Sequence, residues 1–247
     1  LGDYGSAFKL FERTLDLVNR QITQINKVSA EGAWQHLRSI LLLDIGNVYQ
    51  NLGQYAQASA KLAESTEARS RARDDKRGDS IHLSRVGRAL HEQGQYDEAI
   101  AAFEEALLID KEINSVPGEI HNYAGLASVY LARGMFEQSL EFVQRSLQLA
   151  DRVKSTWHLQ RQGTLQAEIY LALDRKQDAY DAIKKARRYD SPGNNHRAVL
   201  INSIVLLLLN SPKAKGQFNQ ASKEPLHLLK QTEMLFAARY TNAIAMY

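Results

Sequence analysis

The chain has 247 residues, 44% of them hydrophobic, with 31 Lys and Arg against 28 Asp and Glu for a net charge of +3. That apolar content excludes a disordered chain, and the absence of cysteine excludes a disulfide framework and a thiolate metal site. An excess of three cations does not by itself make a nucleic-acid surface, and the longest apolar run, Ile204 to Leu209, is too short to cross a bilayer.

The first residues carry the phrase Gly2-x-Tyr4-x-x-Ala7-x-x-x-Phe11. It predicts a helix from Tyr4 to about Val28. An amphipathic stretch with Leu42, Ile45, Gly46 and Tyr49 follows, its apolar residues three and four apart as on one helix face. The phrase then returns as Gly53-x-Tyr55-x-x-Ala58-x-x-x-Leu62. The same alternation continues. Leu83, Gly87 and Leu90 precede Gly94-x-Tyr96-x-x-Ala99-x-x-x-Phe103, and Tyr123, Leu126, Ala127 and Tyr130 precede Gly134-x-Phe136-x-x-Ser139-x-x-x-Val143. Ala167 and Tyr170 lead into a degenerate copy at Asp174, Lys176, Ala179 and Ile183. Ser191-Pro192-Gly193 marks a break between helices, and Ala198 to Leu209 predicts a helix buried on most sides. A last partial copy at Gly216, Phe218 and Ala221 carries Pro225 where an apolar residue belongs, which predicts a kinked or split helix.

The markers fall at 2, 53, 94, 134, 174 and 216, at intervals of 51, 41, 40, 40 and 42. Such a period means stacked supersecondary units. The expected organisation is repeats over 1–190, with a partial hairpin over 1–30 and four hairpins from about 31, 77, 117 and 155. Divergent helical repeats of the same solenoid are expected over 191–247. Gly or Ala in mid-helix (Gly46, Gly87, Ala127, Ala167) permits close approach of the paired helix, since a mid-helix Gly costs about 1 kcal/mol against Ala and needs a packing reason. Gly53, Gly94 and Gly134 suit a left-handed helix end. The small residue after the aromatic (Ala58, Ala99, Ser139, Ala179) faces the crossing point. The chain opens inside a repeat and stops inside a helical pattern at Met246-Tyr247, so it reads as a segment of a larger protein.

This pattern resembles the tetratricopeptide repeat family over nearly the whole chain. The usual period there is 34 residues. The period near 40 resembles the longer variety of kinesin light chains and of the sensor arrays of STAND-type signalling ATPases, and the extra residues are expected in the second helix, as in Tyr96 to Ile113 and Phe136 to Val153. The segment around Leu228-Leu229, Thr232, Phe236, Tyr240 and Ala243 is weakly similar to the C-terminal arrays of those ATPases. The resemblance implies an all-α fold, a right-handed superhelical solenoid of antiparallel helix hairpins. It also implies a non-catalytic, cytoplasmic scaffold for protein or extended peptide, with no cofactor.

Catalytic motifs are absent from the sequence: there is no phosphate loop, no Gly-x-Ser-x-Gly turn and no His-Glu-x-x-His pair among the seven histidines. No metal site is expected. The resemblance places ligand contact on the concave face, lined by the first helix of each hairpin. Relative to the small mid-helix residue, inward positions lie six and three before it and one, four and five after it. They give Ile40, Leu43, Asn47, Gln50 and Asn51 in the first complete hairpin and Ile81, Ser84, Arg88, His91 and Glu92 in the next, with Arg85 at the edge. In the third and fourth they give His121, Ala124, Ser128, Leu131 and Ala132, then Arg161, Thr164, Glu168, Leu171 and Ala172. An inward Asn47 can bond both N–H and C=O of an extended peptide. Arg85, Arg88 and His91 share one helix and can grip a carboxylate. The family's carboxylate clamp does not fit, because Leu43, His121 and Gly125 occupy its basic positions.

At about 10 Å per packed layer the array offers a groove of roughly 50 Å, about 15 extended residues at ~3.3 Å each. Alternatives remain open. Arg69, Arg71, Arg73, Lys76 and Arg77, and Lys184, Lys185, Arg187 and Arg188, are basic runs for a nucleic-acid-binding solenoid or for the helix C-terminal dipole. An accessory or inhibitor array would bind through its outer face. Terminal repeats lacking a polar cap can self-associate.

Overall fold

A computed structural model describes residues 4–24, 28–52, 54–72, 76–189, 195–213 and 216. The described residues form ten α-helices and no strand: α1 (Tyr4–Gln24), α2 (Val28–Asn51), α3 (Tyr55–Ser70), α4 (Lys76–Glu92), α5 (Tyr96–Glu112), α6 (Val116–Ala132), α7 (Phe136–Arg152), α8 (Thr156–Ala172), α9 (Lys176–Ala186) and α10 (Asn195–Leu208). They fall into two compact units, Asp3–Ser115 with α1 to α5 and Val116–Tyr247 (with Leu1–Gly2) with α6 to α10. In the first, α2 pairs with α3 and α4 with α5, and α1 packs on α2. In the second, α6 pairs with α7 and α8 with α9, α7 packs on α8, and α10 lies on α8 and α9.

Helix lengths revise one expectation. α4, α5, α6, α7 and α8 each have 17 residues, so first and second helices share the length added to the 34-residue unit. The 51-residue first interval likewise arises in both α1, with 21 residues, and α2, with 24. The Pro225 kink and the segment from Leu228 to Ala243 lie outside the described residues.

The small residues do the packing foreseen for them. Ala99, Ala127, Ser139, Ala167 and Ala179 are fully buried, and Ser139 Oγ donates to the Ala127 carbonyl at 2.6 Å across the helix crossing. Further down the hairpins Ser65 bonds the Ser39 carbonyl at 2.6 Å and Ser146 the Ile120 carbonyl at 2.8 Å. A short hydroxyl thus satisfies itself on the facing backbone and brings the axes close. Ile120, Leu126, Val143, Ile169 and Ile183 fill the spaces between crossings at no more than 1% exposure. In α10 the residues from Ala198 to Ser203 are buried, as are Val205 and Leu206, whereas Leu207 and Leu208 are exposed.

One turn serves almost every junction. The amide three residues beyond each helix bonds back five residues, as in Gln95 N–H to Leu90 C=O (2.9 Å), Ser115 to Asp110 (2.8 Å), Met135 to Tyr130 (2.9 Å), Ser155 to Ala150 (3.0 Å) and Arg175 to Tyr170 (2.8 Å). This closure needs a left-handed residue. Gly94 (φ 78°) and Gly134 (φ 76°) supply it where glycine was expected, but Asn114 (φ 55°), Lys154 (φ 54°) and Asp174 (φ 55°) supply it elsewhere. Lys154 is the costly one, because a left-handed L-residue without a locally bonding short side chain costs roughly 1–2 kcal/mol. Its ion pair with Asp151 is exposed and contributes little. Lys154→Gly is therefore expected to stabilise the protein by about 0.5–1 kcal/mol after the entropy of the freer unfolded chain is deducted. Thermal unfolding should show a midpoint raised by roughly 1–4 °C; a lowered midpoint would contradict this account.

Candidate ligand-binding face

The row three residues before the mid-helix reference is interior. Leu43, Ser84, Ala124 and Thr164 are all buried, and Ser84 Oγ and Thr164 Oγ1 turn back to Ser80 and Gln160 carbonyls at 2.8 Å. These residues are interior and offer no contact surface. The rows six before and one, four and five after carry the accessible groups: Ile81, Arg88, Glu92, His121, Arg161, Ala132 and Ala172 are exposed, and Asn47, His91, Ser128, Leu131, Glu168 and Leu171 are half-buried. The Gln50 and Asn51 side chains lie outside the described ones.

In the Asp3–Ser115 unit the charges on this face are paired. Arg85 lies 3.7 Å from Asp44, both about a third exposed, and Arg88 lies 3.9 Å from Glu92 one turn along α4. Asp44, two residues before Gly46, escaped the positional scheme although it joins α2 to α4. Burial pushes its carboxyl above the usual range, against the pull of Arg85 and Arg88. Glu92 is raised for the same reason, with Arg88 opposing. His91 is pushed down by burial, and its ring lies 6.0 Å from that of Tyr96. It is therefore neutral at pH 7 and adds no cation to Arg85 and Arg88. Asn47 borders a narrow crevice with Leu43, Gly46, Ala58, Leu62, Ala89 and Gln93.

The Val116–Tyr247 unit places its candidates differently. Glu168 receives both Nε and Nη2 of Arg197, at 2.6 and 2.5 Å, a two-pronged bond that ties α8 to α10. Sequence spacing could not find this partner, which lies 29 residues away across the Ser191-Pro192-Gly193 break. Arg161 lies 5.3 Å above the ring of Trp157, which is 41% exposed. Ser155 Oγ and His158 Nδ1 are 2.7 Å apart, and burial holds His158 below its ordinary pKa, helped by Arg161. His121 stands exposed on α6.

The basic runs divide. Arg69 is buried and bonds Asp79 at 2.6 Å and also His36; Arg71 pairs with Glu67 and Lys76 with Glu112. Arg73 lies outside the described residues. Arg69, Arg71 and Lys76 are thus spent on internal contacts, whereas Arg77 is exposed. Lys184, Arg187 and Arg188 instead border a cleft of about 210 Å³ with Tyr180, Asn202, Leu206 and Lys213. Among the described residues no helix is long and apolar enough to span a membrane, and no three His, Asp or Glu side chains are placed to hold a metal ion.

Against known proteins, a tetratricopeptide repeat model matches residues 37–112 and 79–152. No curated protein matches the sequence. Among solved structures the chain is similar to BtubC (BKLC) from P. vanneervenii, with a TM-score of 0.73 at 13% identity over 92% of this chain and 93% of that one. It is also similar to the quorum sensor NprR from B. thuringiensis in its apo form, with a TM-score of 0.71 at 12% identity over 97% of this chain and 64% of NprR. A STAND protein with a tetratricopeptide repeat sensor, from Pyrococcus horikoshii, matches with a TM-score of 0.66 at 17% identity over 96% of this chain and 36% of its own length.

Proposed function

From the premise that this is a tetratricopeptide repeat chain, we propose that it is a non-catalytic, cytoplasmic scaffold that captures a protein or extended peptide on the exposed rows of its first helices. The observation that carries this is the composition of those rows. Asn47, Ser128, the Asp44–Arg85 and Arg88–Glu92 pairs, and the exposed His121 and Arg161 form polar surfaces of mixed sign. They suit a peptide backbone, which presents donors and acceptors in turn. The pairing of Arg85 and Arg88 argues against a dedicated carboxylate grip, since a ligand carboxylate must displace an internal one.

The narrower proposal is a ligand-sensing segment of a larger STAND-type signalling protein. Its support is the likeness to a repeat sensor within a STAND protein and to a quorum sensor. Self-association through terminal repeats is a further expectation, checked by concentration-dependent sedimentation.

The test is selection of 15-residue peptides from a displayed random library against the full chain, followed by affinity measurement on variants. The double variant Asn47→Ala/Arg88→Ala is expected to weaken a selected peptide by about tenfold, or about 1.4 kcal/mol, and Glu104→Ala on the second helix α5 to leave it unchanged. Peptides lost only on substitution of second-helix residues would favour an outer-face array instead. A gel shift of random-sequence RNA that fades steeply with salt would favour the nucleic-acid alternative, through Lys184, Arg187 and Arg188.

A further inference from the structure

The third and fourth hairpins are displaced by 40 residues, so Tyr123, Phe142 and Arg145 correspond to Gly163, Ala182 and Lys185. In the third hairpin these places are full. The Tyr123 and Phe142 rings stack at 6.3 Å and 28°, Phe142 stacks on Tyr130 at 5.2 Å and 17°, and the Arg145 guanidinium lies 5.9 Å from both Tyr123 and Phe142. In the fourth hairpin both rings are missing and Lys185 keeps the cation. A cleft of about 290 Å³ opens there between α7, α8 and α9, near the lower size of small-molecule sites. Gly163, Ala182 and Lys185 all line it. Leu147, Leu159 and Tyr189 add apolar walls, Gln144, Gln148 and Gln166 bring amides, and Asp151, which pairs with Lys154, brings a carboxylate. Among the described residues Lys185 has no anionic partner.

We propose that this cleft binds a planar aromatic ring beside Ala182, at the place that Phe142 fills one repeat earlier; at Gly163, the Tyr123 equivalent, α9 has closed in on α8. The preceding hairpin shows what this backbone packs at these positions: stacked rings under a cation. Lys185 supplies the cation to the ring face, and the glutamine amides can bond an indole N–H or a phenol hydroxyl. The ring belongs either to a free small molecule or to an aromatic residue of a bound peptide. From α8 the cleft takes Leu159, Gly163 and Gln166 and neither Arg161 nor Glu168, so it stands or falls independently of ligand capture on the exposed rows of the first helices.

Ligand-observed NMR and calorimetry on the full chain test it, with indole, N-acetyltryptophanamide, the capped peptide Ala-Ala-Trp-Ala-Ala and cyclohexylmethanol as a non-aromatic control. Indole is expected to bind saturably with a Kd of about 1 mM or tighter, a ligand of so few atoms being weak, and cyclohexylmethanol at least several-fold more weakly. Ala182→Phe rebuilds the ring of the third hairpin and should abolish binding while keeping helicity and the melting midpoint. Lys185→Met should weaken every aromatic probe by roughly threefold, and it carries the test should Ala182→Phe fail to fold. Tighter binding of the peptide than of indole assigns the ring to a partner's aromatic residue; equal or weaker binding assigns it to a free molecule. No saturable aromatic binding, equal binding of the cyclohexyl control, or indifference to both substitutions overturns the proposal.

Discussion

Gly163→Ala is expected to destabilise the protein by about 1–2 kcal/mol, although alanine is the better helix former. An added Cβ would stand 2.8 Å from the Ala186 Cβ and 3.5 Å from its Cα, where α8 and α9 touch. Neither partner is the end of a flexible chain, so the helices must part. Overpacking of a close-packed crossing costs roughly 1–3 kcal/mol, and the intrinsic preference of a helix for Ala over Gly returns up to about 1 kcal/mol. The double variant Gly163→Ala/Ala186→Gly moves the methyl to the other helix and should recover much of the packing loss. Two other glycines grade the effect. At Gly87 the added Cβ meets the Phe103 ring at 3.1 Å, whereas at Gly46 the nearest atom is the Ala58 carbonyl oxygen at 3.4 Å. Denaturant midpoints should therefore rank the alanine variants Gly46 above Gly87 above Gly163. Gly163→Ala equal to or more stable than the parent would mean that α9 yields freely.

Acidification should cost the Asp3–Ser115 unit about 2 kcal/mol between pH 7.5 and pH 5 through His82. This side chain is 7% exposed and its Nε2 has no hydrogen-bond partner among the described residues. Burial, with Arg69, Arg85 and His36 adding repulsion and only Asp79 opposing, pushes its pKa down to about 4. Above the ordinary value of 6.5 the ring is neutral folded or unfolded, and its contribution is constant. Below 6.5 the unfolded chain takes up a proton that the folded chain refuses until about pH 4. Stability is thus present above pH 6.5 and is lost progressively across that window, by up to about 3 kcal/mol. His91 is also held down and adds to the slope, as does His158 in the Val116–Tyr247 unit. The measurable share of His82 is the difference between the parent and His82→Gln, whose unfolding free energy should fall less steeply from pH 7 to pH 5. Parallel slopes would show that the folded ring protonates freely.

The fold was legible in the sequence because its cause is local and repeated. Gly94 and Gly134 stand where a left-handed turn is needed, and small residues stand at each crossing, so spacing alone recovers the hairpins. Two classes of feature were hidden. Turns closed by Lys154 and Asp174 carry no glycine, so the backbone pays a cost that no residue type announces. Ion pairs between elements were invisible for a different reason. Asp44 and Arg85 are 41 positions apart, and Glu168 and Arg197 are 29 apart. Nothing in a helical period predicts which charge on one helix meets which on the next. For the same reason the histidines looked scattered, yet His36 and His82 share one charged cluster with Arg69 and Asp79.

The near-identical three-residue junctions have a consequence for how the chain acquires its structure. Each hairpin closes on itself within about 40 residues of sequence, so most stabilising contacts are available soon after a segment emerges. Loop closure then costs little entropy, contact order stays low, and folding should be rapid for the size. A nucleus can form in any hairpin and spread to its neighbours in turn.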